Sequence, residues 1–332
     1  MRLFRFNRAC TVADYASGLY DLDGCFMRKR RQKSRPLTDK SAEIRNNMIK
    51  NYVIPLWGDI YLSKMTVKKI DDELVNLLSV REGKELSGLT KNTILTILDD
   101  IFVLAIEDGV VENNPVRSVM RFSREVTDIR GAIPQREMEL LFPVSHDALV
   151  KIWGKQIYAA AYLVLRDTGL RPGELRALQW GDWYPDLRFF PVTKAIESGK
   201  RDKIKGTKTG SVKPAVVTEQ TAAEMEILRA GVEDYSPEKF IFSDSGRPFT
   251  IVRLDYNFKM GISRAGLDRP YSPYWLRHTF NTRMLDILPD DTVRLLMGHA
   301  SEAMTRHYRH PDIESLKKEA EKIKDVLKKI NY

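Results

Sequence analysis

Thr168-Gly169-Leu170-Arg171-Pro172-Gly173-Glu174-Leu175 is the stretch on which the reading of this 332-residue chain turns. An apolar helical pattern around 157–167 runs into it, Gly169 ends that helix, and Pro172 suits the first turn of the next. Arg171 falls at the junction. The helix dipole does not favour a cation beside a helix N-terminus unless an anion shares the place. Taken alone, Arg171 is a surface arginine in an interhelical loop; its meaning comes from three segments further along.

The first of these is Lys203-Ile204-Lys205-Gly206-Thr207-Lys208-Thr209-Gly210-Ser211-Val212-Lys213, read as a β-hairpin loaded with lysine. Such a turn can present an ammonium to a leaving oxygen, or it can be a solvated basic loop. The second is Tyr274-Trp275-Leu276-Arg277-His278-Thr279-Phe280. The third runs from Leu296-Met297-Gly298-His299 to Arg306-His307-Tyr308-Arg309-His310. Four of the five histidines lie in these last two segments, which makes zinc the rival explanation. There is no HExxH pattern and no cysteine nearby, and the intervening residues are basic, so we expect no metal and no cofactor. Breaking a phosphodiester without metal needs a nucleophile, a positive clamp on the non-bridging oxygens and an acid for the departing oxygen. The segments supply candidates for each.

Together and in this order they resemble the tyrosine recombinase (phage integrase) family, whose catalytic domain is shared with type IB topoisomerases. The resemblance rests on Arg171 in Thr-Gly-Leu-Arg-Pro-Gly-Glu-Leu, Lys208 in the hairpin, Tyr274-Trp275-Leu276-Arg277-His278, Met297-Gly298-His299, and Tyr308 nine residues past His299. It implies that Tyr308 attacks the scissile phosphate and forms a 3′-phosphotyrosyl bond. Arg171 and Arg277 would grip the non-bridging oxygens with their guanidinium forks. His299 would hydrogen-bond the same phosphate, Lys208 (preferred over Lys205) would protonate the leaving 5′-oxygen, Glu174 would orient Arg171, and His278 would buttress the site. Tyr274 stands where most members of the family carry a histidine. A phenol can hydrogen-bond there, but it cannot act as a cation near neutral pH.

Working outward, the periodicity predicts a mainly α chain with a small antiparallel β-sheet in its C-terminal half, an α+β arrangement. Residues 1–117 read as an all-helical, core-type DNA-binding domain, 118–133 as a linker, and 134–332 as the catalytic domain. A helix is expected over Thr11–Leu22 behind a Thr11 cap. A second should start at Thr38 or Asp39, turn Ile44, Met48 and Ile49 inward and stop before Pro55. Between Thr90 and Asp108 the apolar residues Ile94, Ile97, Leu98, Ile101, Phe102 and Ala105 form the clearest stripe of this half, closed by Gly109. The β section should run from Leu187 to Val217, with helices returning from Thr218.

Lys and Arg outnumber Asp and Glu by 54 to 45, a net charge of +9 that favours a polyanionic partner, here double-stranded DNA. The basic run at Arg28, Lys29, Arg30 and Arg31 and the arginines Arg121 and Arg124 are candidate phosphate contacts, and Lys91 and Asn92 candidate groove readers. Cys10 and Cys25 read as two reduced thiols. No apolar run is long enough for a bilayer and no signal peptide is evident, so a cytoplasmic protein of bacterial, phage or mobile-element origin is expected. Only about ten residues precede the first helix, so no arm-binding domain is expected.

At the C-terminus, Ile313, Leu316, Ala320, Ile323, Leu327 and Ile330 mark an amphipathic helix over 313–330. It could pack on its own domain or on a neighbouring protomer. The resemblance implies exchange between protomers in a tetramer on two paired sites, with possible accessory DNA-bending proteins. Two other readings stand beside recombination: relaxation of supercoils by a monomer, and a DNA-binding protein that has lost catalysis.

Overall fold

In a computed structural model the described residues are 10–123, 131–197, 203–206 and 212–297, with 317, 318, 320, 321, 323 and 324 (the side chains of 291 and 295 excepted). The chain divides into two compact units, Met1–Asp128 and Ile129–Tyr332. No described helix is long and apolar enough to cross a membrane.

The first unit contains α1 (Val12–Ala16), α2 (Cys25–Gln32), α3 (Asp39–Met48), α4 (Ile54–Trp57), α5 (Val67–Val75) and α6 (Gly88–Glu107). Thr11 caps α1 in a reciprocal capping box with Asp14, but the helix ends at Ala16, well short of Leu22. Gly18, at φ 72°, turns the chain out of it. The basic run lies on α2 rather than in a loop. Thr38 caps α3 as expected, whereas Ile44 is 44% exposed; Ala42 and Ile49 face inward instead. The chain does not stop at Pro55. A π turn over Ile49–Val53 carries it into α4, with the Ile54 amide donating to Ile49 O. The wider ring absorbs a proline that would break a regular α-helical ladder.

The core of this unit is α6. Ile94, Leu95, Ile97, Leu98, Ile101, Phe102 and Ala105 are all fully buried, and Ser87 caps the helix two turns before the first of them. Such burial leaves little of α6 for solvent, so its polar residues serve the fold. Lys91 is 2% exposed, with its ammonium on Val75 O and Glu85, and lies over the Phe122 ring. Asn92 donates to Phe122 O and accepts from Phe122 N, and Arg121 donates to Asn92 O at 3.0 Å. Lys91 and Asn92 therefore do not have the freedom expected of groove readers. Residues 121–123, expected to be linker, lie against α6, while Ile133 is buried in the second unit with its amide on Thr279.

The second unit is built on α7 (Gln135–Leu141), α8 (His146–Trp153), α9 (Gln156–Thr168), α10 (Pro172–Leu175), α11 (Glu219–Ala230), α12 (Ile251–Arg264), α13 (Pro273–Leu285) and α14 (Asp290–Met297). Its strands are β1 (Phe189–Val192), β2 (Lys194–Ile196), β3 (Ile204–Gly206), β4 (Lys213–Val216), β5 (Ser243–Asp244) and β6 (Arg247–Pro248). Strand β1 pairs antiparallel with β4, β2 with β3, and β5 with β6; the last hairpin was not read from the sequence. Helix α9 is buried from Tyr158 to Thr168. The charged residues inside it are satisfied. Arg166 donates to Asp167, Gln220 and Thr218, and Asp167 accepts from the Thr218 amide and hydroxyl, tying the end of α9 to the start of α11.

The lysine-rich segment is not a hairpin closed on itself. Val192 pairs with Lys213 and Lys194 with Gly206, so two positions along the outgoing strand stand against seven along the returning one. The turn of this hairpin lies instead between Glu197 and Lys203, whose amide and carbonyl meet at 2.9 Å. Lys208 falls in the surplus between the two ladders, outside the described residues.

Close packing sets one test. A Cβ on Gly261 of α12 would fall 2.3 Å from the ring of Trp153, a fully buried side chain wedged among Phe142, Tyr162 and Phe258. Gly261→Ala is expected to cost about 1–3 kcal/mol in urea unfolding, the usual range for overpacking; an unchanged midpoint would mean that the ring can yield.

Candidate active site

The junction picked out in the sequence forms as a tight corner. Gly169 ends α9 in the left-handed region at φ 58°, and Arg171 occupies the N-cap of α10. A Cβ at Gly169 would lie 2.5 Å from Phe280 and 3.2 Å from the Met297 sulfur, so only glycine lets α13 and α14 approach this corner.

Glu174 holds Arg171 twice. Its carboxylate accepts from the Arg171 amide at 2.8 Å and from the guanidinium Nη1 at 2.9 Å. A third donor is the Lys213 ammonium, 2.8 Å away at the start of β4. Glu174 and Lys213 are each 2% exposed. Burial pushes the Glu174 carboxyl up, but the charge and hydrogen bond of Lys213, helped by Arg171, outweigh it and leave the group below its ordinary range.

Arg277 on α13 is buried and anchored by main chain. Its Nη1 donates to Gly169 O at 2.5 Å and its Nη2 to Met297 O at 2.9 Å. Burial lowers its pKa to about 10; Arg171 lowers it further, while Glu174 and Tyr274 oppose the shift. Arg171, Lys213 and Arg277 thus surround one carboxylate, an arrangement that leaves positive charge over for an anion. It suits a phosphate better than a metal ion, and no described group of three or more His, Cys, Asp or Glu could hold a metal.

Tyr274, one turn before Arg277, is 42% exposed and close enough to influence it electrostatically. His278 is half-buried. Lys208, His299, Tyr308 and Arg124 lie outside the described residues. Sequence reasoning missed Lys213. Its signal was a single lysine opening the otherwise apolar strand Pro214-Ala215-Val216, a position where an unpaired ammonium would be expelled.

The candidate DNA contacts of the first unit sit on structured ground. Arg28 and Arg31 are exposed on α2, Arg31 donating to Leu22 O, while Lys29 pairs with Glu107 and Arg30 reaches Asp100 at 3.9 Å. Two members of the run are thus partly neutralised by the fold.

A helical unit and an α+β unit with paired arginines beside a buried carboxylate make up a protein whose second unit has a cationic corner suited to an anion. The phage integrase family model matches residues 133–315, more than half of the chain, and the chain belongs to that family. It is 25% identical to tyrosine recombinase XerC of Listeria innocua over 255 residues, covering 75% of this chain and 82% of that protein. Against XerC of Listeria monocytogenes it is 27% identical over 241 residues, covering 72% and 77%. The fold matches the Tn1549 transposon integrase in complex with circular intermediate DNA, with a TM-score of 0.67, 19% identity and coverage of 95% and 99%. It also matches a lambda integrase tetramer bound to a Holliday junction, with a TM-score of 0.61, 17% identity and coverage of 88% and 78%. At those identities the structures speak to fold alone.

The forked grip makes Arg277 hard to replace. Arg277→Lys keeps the charge but cannot span two carbonyls and a phosphate with one ammonium. DNA cleavage is expected to fall by about 100-fold or more, the scale of losing one preorganised donor at a developing charge. Single-turnover cleavage measures it; a loss under threefold would remove Arg277 from the grip.

Proposed function

We propose that this protein is a site-specific recombinase that cuts and rejoins DNA through a covalent link to Tyr308, in integration, excision or resolution of a mobile element. The observation that carries the proposal is the convergence of Arg171 and Arg277 from separate elements beside a single carboxylate, Glu174. In the reaction the Tyr308 phenol gives its proton to water, its oxygen bonds to phosphorus, the bond to the 5′-oxygen breaks, and that oxygen takes a proton from Lys208. The arginines hold the non-bridging oxygens throughout, with His299 as a further donor. A phosphotyrosyl ester replaces a phosphodiester, so the residues present supply the step without ATP. A free phenol ionises near pH 10, so the clamp must also favour the attacking phenolate.

The relatives named XerC and the DNA-bound integrases support double-stranded DNA as substrate. The lambda integrase tetramer supports a homotetramer here as well. The described tail residues Ala320 and Ile323 pack among Phe189, Val216, Phe280, Met284 and Val293 of their own chain, and exchange in a tetramer would seat a neighbour's tail in the same socket. Exposed Arg28 and Arg31 are the members of the basic run best placed for phosphates. A helical DNA-binding domain over 1–117 and a catalytic domain over 134–332 fit the two units, with the linker of 118–133 shortened because 121–123 stay with the first unit and Ile133 with the second. A cytoplasmic site of action fits a DNA substrate, and accessory bending proteins would assist where sites must be folded together.

Incubation with nicked duplex suicide substrates from the flanks of the gene, without added metal, should give a slow-migrating protein–DNA adduct on a denaturing gel. Tyr308→Phe should bind the DNA and give none. An adduct from Tyr308→Phe would place the nucleophile elsewhere. No adduct from either protein, on DNA that both bind, would favour a binding protein.

Tyr274 gives a second test. A histidine there would gain charge below about pH 6.5, whereas the phenol stays neutral. Tyr274→His is therefore expected to cleave several-fold faster at pH 6 than at pH 8 relative to wild type. Superimposable pH–rate profiles would remove position 274 from the transition state.

A further inference from the structure

Lys213 is the buried cation that the phosphate chemistry above leaves unused. Its ammonium lies inside the second unit at the head of β4, 2.8 Å from Glu174. The same oxygen of Glu174, Oε2, accepts from the Arg171 amide, and the other, Oε1, accepts from the Arg171 guanidinium. The carboxylate is thus a bridge between Lys213 and Arg171. Without Lys213 it would be a buried anion held only by the arginine it is meant to orient, free to rotate toward it or to take up a proton.

Building on the recombinase reading, we infer that Lys213 is a positioning residue: its ammonium fixes the Glu174 carboxylate, which in turn fixes Arg171 for the scissile phosphate. Lys213 is not placed to donate the leaving-group proton itself, since it is almost wholly buried and engaged with Glu174. The charged groups facing it are Glu174 and Arg171 at α10 and Arg277 on α13; its strand partner Val192 is apolar, as are Val293, Leu296 and Met297 of α14, while in α9, which also packs against β4, the buried Arg166 and Asp167 pair with each other.

The environment gives this role a pH signature. Burial lowers the Lys213 pKa to about 8; Glu174 opposes the shift, and Arg277 and Arg171 add to it. As pH rises through about 8 the ammonium is lost in the folded protein and the hold on Glu174 weakens, so cleavage should fall. Stability should move the other way. Between about 8 and the ordinary lysine value near 10.4 the unfolded chain binds the proton more tightly than the fold does, so this group's contribution to stability increases with pH. Activity lost while stability is gained separates positioning from unfolding.

The experiment compares single-turnover adduct formation on the nicked substrate, from pH 6.5 to 9.5, for wild type, Lys213→Arg, Lys213→Met, Glu174→Gln and the double variant Lys213→Met/Glu174→Gln, each with a thermal melt. We expect Lys213→Met to be about tenfold or more slower at pH 7 and Lys213→Arg to recover most of the rate. The double variant should be no slower than Glu174→Gln, because the two residues act as one unit. The falling limb near pH 8 should be absent in Lys213→Met and displaced upward in Lys213→Arg. The double variant leaves no buried carboxylate without its lysine, so it serves if Lys213→Met alone fails to fold. A wild-type rate in Lys213→Met, losses that multiply in the double variant, or an unmoved alkaline limb in Lys213→Arg would overturn the inference while leaving the recombinase reading intact. A wild type that forms no adduct would overturn both.

Discussion

The bond pair on which the site depends is the Arg277 guanidinium spanning Gly169 O and Met297 O. It joins the last turn of α9, the middle of α13 and the end of α14 at one buried point. Both carbonyls lie at helix ends, so one cation answers the negative ends of two helices at once. Gly169 makes the junction possible by adopting a positive φ and by leaving room for Phe280 and Met297. Arg171, two residues on, is then placed by the corner itself. A substitution that opened the corner would disturb both arginines together.

Such a site is costly to fold. Lys213 and Arg277 are buried cations, and Glu174 is the single carboxylate among them. Desolvating an ammonium or a guanidinium costs several kcal/mol even after relaxation, and neighbouring like charges add to that. Stability alone would favour apolar residues here. What the arrangement provides is a set of donors already oriented and already stripped of water, whose full electrostatic value appears only when an anion enters. The Arg166–Asp167 network contrasts with it: that pair is just as buried, but it is answered by Thr218, Gln220 and Thr221 and has no charge to spare. It braces α9 against α11 from within.

Much of this was legible in the sequence because it depended on local rules. Gly169, Pro172 and the Arg171–Glu174 spacing specify a helix stop, a helix start and a carboxylate that reaches back to the N-cap, all within a few residues of each other. The stripe of α6 was legible for the same reason. What escaped depended on contacts distant in sequence. Lys91 and Asn92 looked like the polar opening of a helix, and only the return of Phe122 shows that both are engaged. Ile44 fitted the helical period yet faces outward, because the side that packs inward is that of Ala42 and Ile49, seven residues apart, and Ile44 lies off it. The lysine-rich segment had the composition of a hairpin, but its pairing is decided by β1 and β2 upstream. Lys213 was hidden by that same reading: taken as the last residue of a lysine-rich hairpin, it is the first residue of a buried strand.

The position of Tyr274 changes how the whole arrangement responds to pH. A histidine there would have made the charge of this part of the site vary around pH 6.5. With a phenol in its place, the described cations near the carboxylate are Arg171, Arg277 and Lys213. Of these the lysine, its pKa lowered to about 8, is the first to lose its proton as pH rises, well before Arg277 at about 10. The grip around Glu174 therefore has on its alkaline side a sensitivity that comes from Lys213. That sensitivity sits on a side chain buried at the root of β4 and not at the exposed position 274.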